Sequence, residues 1–222
     1  MASRDALKQN LMAAIDLSNP DGTYSDEAYD ALKSAIDELV PHSPIPRPFD
    51  KQDEIAGHWV TRFAQFGPRH TAGKPIEHDN QLNFVSFSAF PALPFRNLDL
   101  AQEIHQDTKD YNNVHVIEPS GGGPKLRLAT YGRYHVTADE PQRYGVEFYK
   151  TRIWSENGHS DDEIRSLLNL PADHELDKPV RSPKLHSDIV YCDESIRINF
   201  GSVGGIYVLE RVANPGVTVS LS

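Results

Sequence analysis

The sequence is poor in groups that would cross-link it or hold a metal. Cys192 is its only cysteine, which excludes an internal disulfide and any multi-cysteine zinc site. Its 10 histidines are scattered, none at the four-residue helical spacing of a metalloprotease, so no metal is expected. No run approaches the roughly 18 apolar residues that a membrane-spanning helix needs. Positive charge is in deficit. Lys and Arg number 22 against 32 Asp and Glu, a net charge of -10 whose field repels phosphate backbones, so nucleic acid is not an expected partner. The glycine-rich stretch 120–125 lacks the second half of a phosphate loop, and 201–205 reads as a turn between strands rather than a dinucleotide fingerprint. The opening residues MASRDALK carry an acid and have neither an apolar signal core nor an Arg-rich transit pattern, which points to a soluble, cytoplasmic chain.

What is present is an ordinary globular composition. In 222 residues, 38% apolar content with 14 Gly and 16 Pro leaves collagenous and low-complexity classes out. The length favours one domain with appendages. Leu7, Leu11, Met12 and Ile15 recur at helical spacing, turn residues follow at 18–22, and Ser25 can cap a second helix carrying Leu32, Ile36 and Leu39. This predicts an N-terminal helical hairpin. Alternate prolines at 44–48 then hold an extended spacer, so residues 1–48 form the appendage and 49–222 the main body.

From Gly57 the period changes to two, the pattern of an antiparallel all-β barrel or sandwich. About nine strands are predicted, at 57–66, 82–90, 101–108, 111–118, 125–136, 143–154, 186–192, 195–200 and 205–212. An insertion at 155–185 contains one short capped helix from Ser160. In the strand from Arg143, parity that buries Tyr144, Val146 and Phe148 also turns Lys150 and Arg152 inward. Either a bulge reverses the parity after Phe148 or these positions lie at the open barrel end, the readings we favour, or a cation faces the interior and needs a carboxylate or a ligand head group. The phenylalanine-rich stretch 82–95, interrupted by prolines, suits an edge or rim, and exposure of Phe90 and Phe95 would distinguish an apolar lip from core.

Three stretches in the right order resemble the plastid lipid-associated protein (PAP/fibrillin) family. They are DEIAGHWVTRF at 53–63, IHQDTKDYNNV at 104–114 and YCDESIRINFGSVGGIYVLER at 191–211, the last being the most specific. The family's Arg-Gly pair before the final hairpin is Phe200-Gly201 here, and the opening residues do not read as the transit leader of plant members, so plastid residence is not expected. The resemblance implies a lipocalin-like barrel with affinity for a small lipophilic molecule (a carotenoid, quinone or fatty acid) or a peripheral lipid surface. It also implies a lipophile site that Asp193 and Arg197 help to define. For Asp193 the competing reading, which we favour, is the acceptor of a tight turn between two strands.

The Gly57-x-Trp59 spacing also looks like the lipocalin entry motif, with Arg211 able to stack on Trp59 and close one barrel end. Parity then predicts a lining of Trp59, Phe63, Tyr134, Phe148 and Tyr207, with Gln106 or Arg152 orienting a ligand head. No cofactor is implied. The rival readings are a barrel enzyme moving a proton on a lipophile through Tyr134, Arg152 or Gln106, and a side-chain-filled barrel serving as an interaction module.

Overall fold

A computed structural model describes residues 2–74, 79–120 and 122–213, with only the backbone of Asp79 and Asn80. Gly121 of the expected hairpin connection and the end of the body from 214 therefore lie outside the described residues. Helix α1 (Arg4–Ile15) starts at Ser3, whose side chain accepts from the Ala6 amide, and α2 (Asp26–Leu39) starts likewise at Ser25. Three short helices follow: α3 (Gln52–Ile55), α4 (Leu82–Val85) and α5 (Asp161–Leu167). The last opens with the expected capping box, Ser160 and Glu163 satisfying each other's backbone amides. No described helix is long and apolar enough to cross a membrane.

Ten strands are described: β1 (Gly57–Gln65), β2 (Asp79–Gln81), β3 (Pro94–His105), β4 (Asp110–Pro119), β5 (Leu126–Val136), β6 (Arg143–Ser155), β7 (Asp177–Pro179), β8 (Leu185–Cys192), β9 (Ile196–Gly201) and β10 (Ile206–Val212). All pairings are antiparallel. The path β1-β10-β9-β8-β6-β5-β4-β3 returns to β1 through Gly57↔Ile104 to Val60↔Ala101, closing an eight-strand barrel. Strands β2 and β7 pair outside the ring, with β3 and β6. Closure removes the sheet edges that an open sheet would leave unpaired.

The predicted strand at 82–90 is absent. Its apolar run makes α4 and a turn in which Phe87 and Ser88 adopt left-handed backbone, at φ 50° and 62°. The segment dips into the barrel, where the Val85 carbonyl accepts from Thr130 Oγ1 at 3.2 Å. Phe90 and Phe95 are 2% exposed, so they are core; the exposed ring is Phe84, at 56%.

Of the four register shifts among the described strands, those in β1 and β6 decide which way the expected site residues face. In β1 the register passes from Thr61↔Leu209 to Phe63↔Val208, leaving Arg62 extra and inverting the parity after it. In β6 it passes from Gly132↔Phe148 to Tyr131↔Lys150, leaving Tyr149 extra. The helices α1 and α2 lie on the outer face of β1, β8, β9 and β10, where Leu11, Leu32, Ile36 and Leu39 pack with Phe63, Tyr191, Ile198 and Val208. The proline spacer is no free linker: Ile45 and Phe49 are buried in the cluster at one end of the barrel.

Candidate functional site

The closed end is built around Trp59. Gly57 enters the barrel at φ 120°, where a Cβ would stand 3.0 Å from Arg211 Nη1 and strain the backbone as well. Trp59 is fully buried and donates from Nε1 to the Ile55 carbonyl at 3.0 Å. The Arg211 guanidinium stacks on its ring at 4.2 Å and donates to the carbonyls of Ala56 and Glu54. Arg197 adds a second cation 4.8 Å from the same ring centre. Phe49 from the spacer packs 5.4 Å from the Tyr144 ring and 6.0 Å from Tyr134, covering the end from below.

Above this floor lies a cavity of about 510 Å³. Its apolar wall includes Phe87, Leu100, Val146, Phe148 and Leu185. Phe84 and Val203 also line it and are 56% and 63% exposed, so it meets solvent between α4 and the β9–β10 turn. Phe87 and Phe148 stack at 5.1 Å along one side. A volume of this order, mostly apolar with a few polar groups, suits one small molecule.

Polar side chains converge near the floor. Gln102, Tyr111, Asn113, Tyr144 and Tyr207 all line the cavity. The Tyr111 and Tyr144 hydroxyls are 3.2 Å apart, and Asn199 Nδ2 donates to Tyr144 at 2.7 Å. Gln102 Oε1 accepts from Arg197 Nη2, whereas Arg197 Nε and Nη1 have no partner among the described residues. Asn113 Oδ1 and Asn199 Oδ1 are likewise unpartnered. On the upper wall His115 Nδ1 is 2.9 Å from Asn97 Oδ1.

Burial drives every shifted lumen group toward its neutral form. Desolvation, and then the neighbouring Tyr144, push the Tyr111 phenol well up; desolvation does the same to Tyr207. It lowers His115 from 6.5 to about 4 and raises the Cys192 thiol to about 11. No cluster of three metal-ligating side chains occurs among the described residues.

Of the residues expected at the site, Phe148 and Tyr207 line the cavity, and Trp59 with Arg211 seals its floor. Tyr134 is buried but turns to Phe49 and to Gln52, its hydroxyl 3.3 Å from Oε1. Three expectations are corrected. Phe63 lies outside the barrel with its ring edge-on to Tyr24 at 5.5 Å, because the Arg62 bulge reverses it. Arg152 is exposed, lying 5.5 Å from the Trp154 ring, because the Tyr149 bulge turns it outward. Gln106 is exposed in the β3–β4 turn, beyond the strand. The inward amide is Gln102, four residues earlier at the same parity and within the expected strand, because β3 ends at His105 before reaching Gln106.

Asp193 is a turn acid. Its Oδ1 accepts from the Ser195 and Ile196 amides at 2.8 and 2.7 Å, its Oδ2 from Tyr191 at 2.7 Å, and Lys8 of α1 pairs with it at 2.8 Å. Burial opposes its ionisation, but the bonds from Lys8, Tyr191 and the two amides outweigh that and hold the carboxyl at about 2. It fastens the helical hairpin to the barrel and takes no part in the cavity lining. Arg197, by contrast, projects inward beneath Gln102. Comparison with protein-family models, curated proteins and solved structures finds no match to this chain.

Proposed function

We propose that this barrel binds a small lipophilic molecule without transforming it, as its resemblance to the PAP/fibrillin proteins implies. The observation that carries this reading is the cavity of about 510 Å³, walled by aromatic and aliphatic side chains and meeting solvent at Phe84 and Val203. Burying a ligand there supplies affinity at roughly 25 cal/mol per Å² of apolar surface. Exposed Phe84 and Val203 at the mouth give the molecule a place to touch a lipid surface while it loads.

The enzyme alternative needs a group poised to exchange a proton near neutral pH. The shifted groups in the lumen move the other way, with Tyr111 and Tyr207 pushed up and His115 down to about 4. A filled barrel acting as an interaction module is disfavoured by the open cavity and by the apolar helix faces, which are already buried against the wall.

The test is solvent extraction of purified protein followed by mass spectrometry, with titration of quinones, carotenoids and fatty acids in parallel. An enriched lipophile, and loss of its binding in Leu100→Trp with the circular-dichroism spectrum retained, is the expected result. No extractable lipophile and no response to any of the panel would overturn the reading.

A further inference from the structure

Arg197 is the anomaly inside the barrel. It is 0% exposed, it forms no ion pair among the described residues, and two of its three nitrogens are without a hydrogen-bond partner there. A lone buried cation is costly unless something of opposite charge completes it. The groups around it do not. Gln102 is neutral, Trp59 offers only its ring face, and Arg211 on the same ring adds a like charge. Asn113 Oδ1 and Asn199 Oδ1, the nearby acceptors without donors, carry no formal charge. In a chain with net charge -10, the floor of the cavity is locally positive.

The geometry also supplies donors. Gln102 uses Oε1 to accept from Arg197, which leaves its amide N–H₂ group to face elsewhere, polarised by the cation behind it. The Tyr111 and Tyr144 hydroxyls hold two protons between them and share one contact, while Asn199 donates to Tyr144 rather than accepting from it. One phenolic proton therefore remains to be donated.

Resting on the binding role proposed above, we infer that the ligand is an anionic amphiphile whose carboxylate sits on Gln102 and the Tyr111–Tyr144 pair, in the field of Arg197, with its chain along Phe148 and Phe87 toward the mouth. Charge-assisted hydrogen bonds are about twice as strong as neutral ones, and in a dry site the difference selects an acid over its neutral analogue.

The experiment compares dodecanoate, dodecan-1-ol and methyl dodecanoate, each titrated calorimetrically into the full-length protein at pH 8. Dodecanoate is expected to bind at least about tenfold more tightly than either neutral compound. Arg197→Met should bring dodecanoate down to the level of the alcohol measured with the same variant. Should that variant fail to fold, Gln102→Leu interrupts the same relay and should produce the same convergence. Equal affinity of the three compounds for the unaltered protein overturns the anionic head group while leaving lipophile binding in place. Absence of binding by all three overturns both.

Discussion

The Arg211 guanidinium lies 4.2 Å from the centre of the Trp59 indole and at the same time donates from Nη1 to the Ala56 carbonyl at 2.7 Å. One side chain of the last strand thus joins the ring and the backbone at the entrance of the first. Trp59→Ala should lower the unfolding free energy by about 3–5 kcal/mol, as loss of a buried aromatic does, and Arg211→Ala by about 1–3 kcal/mol. Gly57→Ala should fall in the same range as Arg211→Ala, because it forces a φ of 120° on a residue with a Cβ and crowds Nη1. Urea titrations of the three variants measure the order; an Arg211→Ala protein as stable as its parent would remove the closure role.

Asp193 should make stability fall in acid. Its folded carboxyl, at about 2, lies below the ordinary 3.8, so the folded state gains from ionisation above about pH 4 and loses that gain as pH falls toward 2. The contribution is on the order of 2 kcal/mol. The difference in urea midpoint between the parent and Asp193→Asn should therefore be constant from pH 5 to 7 and shrink below pH 4. A difference that persists at pH 2 would mean that shape rather than charge holds this turn.

His115 acts over a different range. Burial lowers its pKa from 6.5 to about 4, so the unfolded chain binds its proton first as pH drops. The folded state loses stability between about pH 6.5 and 4, by roughly 3 kcal/mol in all, with no further loss from this group below pH 4. His115→Gln keeps an amide near Asn97 and should flatten that part of the profile. The imidazole resonances of His115, followed by NMR, should still report the neutral ring at pH 5.

Phe84 and Val203 flank the mouth and support little of the core. Phe84→Asp with Val203→Asp should change stability by under about 1 kcal/mol, as exposed substitutions do. It should slow the uptake of a fluorescent fatty acid from phosphatidylcholine vesicles severalfold. Uptake at the parental rate would separate the mouth from any contact with lipid.

Much of the barrel was legible because alternation survives wherever one face meets the interior and the other meets water, as in β5, where Leu126 and Leu128 are buried and Arg133 and His135 are not. The pairing of Trp59 with Arg211 came from the likeness of Gly57-x-Trp59 to the lipocalin entry motif, with strand parity placing Arg211 within reach. The errors share a cause. A one-residue bulge leaves no composition signature, so the one at Arg62 exchanged inside for outside at Phe63 unseen, whereas the bulge after Phe148, one of the readings that the parity of β6 allowed, is present at Tyr149 and turns Arg152 outward. Gln106 was misplaced because the strand stops at His105 instead of running to 108, and Gln102, at the same parity within it, was not singled out. The segment from Leu82 has strand-like composition, yet left-handed Phe87 and Ser88 fold it back, a choice set by the barrel end it fills. Strand β7 is three residues ending in Pro179, too short for any period.

The pair of N-terminal helices leaves the wall formed by β8, β9 and β10 with no wetted side, since Tyr191, Ile198, Ile206 and Val208 face Leu11, Leu32 and Ile36 across it. A protein trimmed after Pro48 would bare that greasy strip and lose Ile45 from the cluster at the closed end as well. Such a shortened chain should clump on purification, and the helices are better regarded as the missing half of the wall than as a removable leader.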